Sequence, residues 1–171
     1  MLFITIESKI FDPITYQSLN RLSSAVLSPD GKYVVYTIRK WEKEQNKSTT
    51  YIQCTNINDK KTQNITKAEF GKSDSSPSFS SLYPNLLFFI REGSLYYISF
   101  PPQENEEPVK LTNYPVDIND FKIKASAFVF SANVYFDCTT LECSAKKLKL
   151  KKKKHIKFTI NYLCFIGILG K

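Results

Sequence analysis

Histidine and glycine are both scarce in this 171-residue chain, and each shortage removes a class of chemistry. His155 is the single histidine, and it sits in a lysine run with no acidic residue after Glu142 to orient it. A Ser-His-Asp relay needs all three groups held in geometry, so the sequence offers no support for one. None of the five glycines falls in a G-x-S-x-G pattern, which excludes a nucleophile elbow. The four cysteines (Cys54, Cys138, Cys143 and Cys164) form no C-x-x-C pair and have no histidine at metal-ligand spacing. No catalytic, cofactor-binding or metal-ligating residue is assigned, and no cofactor is expected.

Targeting signals are missing as well. The opening MLFITIESKIFD has no basic start and reaches Glu7 before an apolar core can form, so no signal peptide is expected. The apolar stretch from Phe158 to Gly170 is 13 residues long and includes Thr159 and Asn161. It falls short of the ~20 residues that span a bilayer as a helix. A cytoplasmic location with reduced thiols follows as the default; in an oxidising compartment Cys138 and Cys143 are close enough for a loop disulfide. The sequons at Asn46 and Asn64 matter only after secretion.

What is present is apolar and repetitive. Hydrophobic residues make up 42% and aromatics 14%, enough to bury a core and to exclude a wholly disordered chain. The net charge of +8 suggests nucleic acid until it is mapped. Nine lysines and no acid fall in residues 146–171, leaving 15 basic against 16 acidic side chains, a balance of −1, in the rest. The body is neutral and the basicity is confined to the tail.

Residues 21–38 read RLSSAVLSPDGKYVVYTI: a strand, a Ser28-Pro29-Asp30-Gly31 turn, and a second strand over 32–38. Pro29 presets its own φ, Asp30 bonds local amides, and Gly31 takes the positive φ that closes a tight turn. The plan returns as SSPSF and an apolar strand over 86–90, then as DFKI and a strand over 127–132. The starts at Val26, Ser78 and Lys122 are 52 and 44 residues apart. That period predicts a propeller-like β-repeat. QNIT and VKLT, ending at Thr66 and Thr112, echo each other 46 residues apart. Leu86 to Ile90 lacks polar alternation, as expected of a strand covered on both faces.

The expected architecture is all-β: two four-stranded antiparallel blades and part of a third, as an open arc. Residues 1–20 form an N-terminal segment with a short helix over 13–19, Asp12 suiting its N-cap. Residues 21–145 form the blades, and residues 146–171 a tail outside them. The first blade has strands near 24–27, 32–38 and 50–57 and a short fourth ending at Thr66, with RKWEKEQNKS as a long connection. The second starts from Gly71, with strands near 77–80, 86–90, 95–100 and 109–112 and Arg91-Glu92-Gly93-Ser94 as a hairpin turn. The third has strands at 121–123 and 127–132, and no clear strand in 136–144.

Taken in order, these stretches resemble the N-terminal propeller of the prolyl oligopeptidase family of serine peptidases, in its acylaminoacyl-peptidase-like and dipeptidyl-peptidase-like branch. RLSSAVLSPDGKYVVYTIRKWEKEQNKSTT resembles its opening blade, GKSDSSPSF the second, and LTNYPVDINDFK with FSANVYFDC the third. The SPDG turn survives only in the first. The resemblance implies a propeller that admits short peptides to an α/β-hydrolase site, and a truncated chain without that domain, such as a broken gene would encode. The competing reading is a non-enzymatic interaction module. Its blade edges would recruit a peptide or protein, and the lysines from Lys146 to Lys157 would add weak contact with nucleic acid or anionic membrane. Trp41 is expected to pack in the first connection, Tyr96 and Tyr97 to stack within a blade, and Glu104, Glu106 and Glu107 to form a solvated loop rather than a cation site.

Overall fold

A computed structural model describes residues 12–69, 72–103, 106–125, 127–135, 137–154 and 161–168. Residues 1–11, Gly71, Glu104, Phe136, His155, Lys157, Phe158, Thr159 and Gly170, considered above, lie outside the described residues. A one-and-a-half-turn helix, α1 (Pro13–Ser18), opens the fold, where the Asp12 carboxylate accepts from the amides of Ile14 and Thr15. Proline at the first helical position costs nothing because its missing N–H would have no partner there.

Sheet I is antiparallel in the order β1 (Arg21–Leu27), β2 (Tyr33–Glu42), β3 (Lys47–Asn56), β4 (Thr62–Asn64). Between β1 and β2 the Ser28 hydroxyl donates to Asp30 at 2.6 Å and accepts from the Tyr33 amide at 2.9 Å. Gly31, at φ 70°, donates to the Ser28 carbonyl. The charged RKWEKEQNKS stretch departs from expectation. Instead of a long connection, β2 and β3 run in unbroken register to Glu42 opposite Lys47, joined by a tight turn over 43–46. Asn46 takes a positive φ there, which its short polar side chain tolerates.

Sheet II repeats the order with β5 (Asp74–Phe79), β6 (Leu86–Arg91), β7 (Ser94–Ser99) and β8 (Val109–Lys110). Glu92 and Gly93, at φ 49° and 72°, make the two-residue hairpin turn that matches strand twist. A Cβ on Gly93 would fall 2.5 Å from an Asp117 carboxylate oxygen, so this position excludes side chains twice over. Sheet III contains β9 (Ile118–Lys124), β10 (Ala127–Val134) and β11 (Asn161–Ile168) in the order β11-β10-β9.

Residues on both sides of position 146 lie against sheet III. β11 pairs with β10 along its whole length, and α2 (Leu141–Lys154) packs back on the same sheet. Leu141, Ala145 and Leu148, at helical spacing, join the core with Phe128 and Phe130. The lysines of this run occupy the rest of a folded helix.

Two apolar clusters join the three sheets. One takes Val35, Ile52 and Cys54 from sheet I and Leu87, Phe89 and Ile98 from sheet II. The other takes Phe88, Ile90 and Leu95 from sheet II and Phe121, Phe128 and Phe130 from sheet III. Alternate residues of β6 thus point to opposite neighbours, which is why that strand has no polar face. Tyr96 stacks on Phe89, and Tyr97 packs at a tilt beside Phe88.

Two devices recur at the repeat distance. Each first strand carries one residue more than its partner: between Ser23 and Val26, between Ser75 and Ser78, and between Ile118 and Asp120. Ser24 and Ser76, 52 residues apart, take φ 55° and 54° in the first two bulges. The QNIT and VKLT echo has a matching explanation. The Thr66 hydroxyl accepts from the Ile52 amide, and the Thr112 hydroxyl accepts from the Leu95 amide, both at 2.9 Å and both buried.

Candidate functional site

The short α1 and the long β2–β3 hairpin meet β1 at one end of sheet I and border an open cavity of about 380 Å³. Arg21, Arg39 and Trp41 line it together with Gln17, Leu19, Asn46 and Ser48. Arg21 stands directly opposite Arg39 in the β1–β2 register. Like charges in that position repel, at a cost of roughly 0.2–1 kcal/mol. Neither guanidinium makes an ion pair among the described residues. Arg39 donates to the Ser48 hydroxyl at 3.2 Å, and the Arg21 guanidinium lies 5.0 Å from the centre of the Tyr16 ring. Trp41 sits on a strand opposite Ser48, half-buried, instead of packing in a loop.

A second cavity, of about 300 Å³, lies between the outer end of sheet I and the loop after β7. Arg91 forms one wall, and its guanidinium clasps Asp74 by two hydrogen bonds of 2.6 and 2.7 Å. Asp74 is wholly buried, and Arg91 lies over the rings of Phe89 and Tyr96. The hydrogen bond to Asp74 holds Arg91 above its ordinary pKa against the opposing effect of burial. This planar, bidentate pair ties the first strand of sheet II to the second.

The glutamates at this cavity are largely engaged by the protein. Glu107 pairs with Lys67 at 2.6 Å, which draws its carboxyl below the usual range, and Glu69 is lowered likewise by Lys72. One Glu106 oxygen accepts from the Ser99 amide at 3.2 Å, while the other is enclosed with no hydrogen-bond partner among the described residues. Among the described residues no group of three or more His, Cys, Asp or Glu is placed to hold a metal ion.

Cysteine chemistry departs from the reduced set expected. Cys138 and Cys143 are joined as a disulfide, their Cα atoms 5.6 Å apart, just before α2 and in its first turn. Cys54 is a buried free thiol whose pKa is pushed up by burial, so it is a packing group and a poor nucleophile. In the lysine-rich helix, Lys147 pairs with Asp137 and lies over the Tyr135 ring. No helix among the described residues is long and apolar enough to cross a membrane.

Sequence reasoning singled out Trp41 but missed Arg21 and Arg39, whose meeting depends on strand register across 18 positions. Counting outward from the SPDG turn sets Arg21 against Lys40, and only the extra residue between Ser23 and Val26 moves it to Arg39. No family model matches this sequence, and no curated protein matches it. Solved structures do match its fold. The chain is similar to AtxE2 isopeptidase without ligand, at a TM-score of 0.62 and 11% identity over 91% of this chain and 30% of that one. A variant of that isopeptidase with Astexin3-dC4 bound gives 0.58 and 13% over the same shares. An acylaminoacyl peptidase from Pyrococcus horikoshii gives 0.51 and 14%, over 73% of this chain and 19% of that one. The chain spans about 30% of the length of the isopeptidase, and what it shares with these peptidases is a fold of successive antiparallel sheets.

Proposed function

We propose that this chain forms part of a β-propeller of the prolyl oligopeptidase family, in the branch with acylaminoacyl peptidases. Sheets I and II are its two complete blades, and sheet III is part of a third. In this reading the chain belongs to the shell that restricts access to a hydrolase site, and it performs no peptide hydrolysis itself. The observation that carries the reading is the repeat: four-strand order, an extra residue in each first strand and a threonine-to-amide bond recur at the spacing of the sequence motifs. The peptidase folds named above, which align with 91% of this chain for the isopeptidase and 73% for the acylaminoacyl peptidase, support it.

The test is chemical. Purified chain should turn over neither acyl-peptide nor dipeptidyl substrates and should take up no fluorophosphonate serine probe. Stoichiometric labelling of one serine would place a nucleophile in these residues and end the proposal. The interaction-module reading is favoured by one observation, the open apolar face of sheet I bearing Leu22 and Leu27. Substituting both with glutamate separates the two readings: a module loses its partner, whereas a lone shell segment merely becomes more soluble.

A further inference from the structure

We propose that the cavity at the end of sheet I is a carboxylate-binding site, fitted to a single carboxylate flanked by an apolar group, such as the free C-terminus of a short peptide. The inference goes beyond the propeller reading and does not depend on it. Arg21 and Arg39 face each other across β1 and β2, and no acidic residue lines the cavity they share. Both arginines are exposed and make no ion pair among the described residues, and an anion held between them relieves their mutual repulsion. A carboxylate answers that arrangement, because each guanidinium offers a planar fork of N–H donors. The Arg21 fork is steadied by the Tyr16 ring, and the Arg39 fork by the Ser48 hydroxyl.

The remaining wall selects the rest of the ligand. Trp41 and Leu19 provide apolar surface beside the arginines, and Gln17 and Asn46 provide amide groups suited to a peptide bond. A volume of about 380 Å³ suits one or two residues, near the lower end of the ~300–1,000 Å³ typical of ligand cavities. Phosphate fits less well. No lysine lines the cavity, and the amides at the N-terminus of α1 are already occupied by Asp12.

Trp41 is the chain's one tryptophan, so its emission reports on this cavity alone. The experiment titrates the full chain with N-acetyl-Leu-Phe as the free acid, with the same dipeptide as its amide, and with inorganic phosphate. Melting temperature is followed in parallel. The free acid should change Trp41 emission saturably, and the amide should not. Arg21→Gln and Arg39→Gln should each weaken binding at least fivefold while holding or raising the melting temperature, since each relieves repulsion. Arg39→Lys, which keeps the charge and loses the fork, should weaken binding too. Lys40→Gln, on the opposite face and paired with Glu42, should leave affinity within twofold. Equal binding of the amide overturns the proposal, as does a larger response to phosphate. Unchanged affinity in both arginine-to-glutamine variants overturns it as well. A fall in melting temperature that tracks the lost response would mark the arginines as merely structural and equally defeat it.

Discussion

Sheets I and II share one strand order and one set of turn devices, yet they live in different surroundings. Sheet II is covered on both faces: Leu87 and Phe89 pack toward sheet I, Phe88 and Ile90 toward sheet III, and all four are buried. Sheet I is covered on one and only in part on the other, where Ile38 and Tyr51 are buried. Leu22 and Leu27 remain 64% and 58% exposed, opposite Ile38 and Val34 on the face turned away from sheet II. The same fold plan therefore tolerates very different burial, and stability is concentrated in the middle sheet. Hydrophobic stabilisation scales with area removed from water, so the exposed Leu22 and Leu27 contribute little as they stand.

The sharpest way to break this comparison is a pair of truncations. Phe89→Ala should destabilise the chain by about 3–5 kcal/mol, through lost burial and the cavity left behind. Leu22→Ala should stay within about 0.5 kcal/mol, the range of ordinary surface changes. Urea unfolding followed by circular dichroism measures both; equal losses would mean that the outer face of sheet I is covered in solution. Next comes Asp74→Ala, which leaves the Arg91 charge buried without its partner and should cost about 3 kcal/mol. Arg91 retains slight exposure and two aromatic neighbours, which places the cost at the lower end of that class. If Asp74→Ala instead unfolds at the wild-type urea midpoint, the pair contributes nothing net.

Smaller effects sharpen the likeness instead of the difference. Thr66→Val and Thr112→Val should each cost about 1–2 kcal/mol, because each leaves one buried amide without its acceptor. The two losses should agree closely if the sheets are equivalent at this point, and unfolding midpoints that differ widely would show that they are not. The smallest effect concerns Asp30. Its carboxyl is held below the ordinary 3.8, first by the Ser28 hydroxyl and then by the Lys32 amide. A lowered folded value means that its contribution is complete above the unfolded pKa and is lost as pH falls through the folded one. Asp30→Asn should therefore lower the melting temperature slightly near neutrality and converge on the wild type as pH falls below about 4, which flattens the acid limb. A parallel offset at every pH would reject that assignment.

How far the sequence reveals this fold depends on where its signals are local. The SPDG and REGS turns and the apolar β6 are written in consecutive residues, and sheets I and II follow from them. The β2–β3 hairpin was harder to see because Arg39 to Glu42 carries charge on a strand half open to solvent. There the pairing is specified by the partner strand and a left-handed Asn46. The lysine run hid a helix because its apolar stripe consists of three residues, Leu141, Ala145 and Leu148, among charges that dominate any composition count. A disulfide five residues apart was legible as a distance and illegible as a redox state. For the candidate site, Trp41 announced itself by rarity, whereas the arginine pair exists only once β1 and β2 are aligned.

The bulges in the three first strands carry a consequence for what the chain avoids. β1, β5 and β9 each form one edge of their sheet, and an unpaired edge invites another polypeptide to add itself strand by strand. An incoming strand of regular geometry can match the residues on one side of Ser24 or of Ser76, but the extra residue throws the other side out of step. At the opposite edges of sheets I and II, β4 and β8 are only three and two residues long, too short to template growth. The devices that repeat along the sequence thus also interrupt the edges along which fibrils would extend.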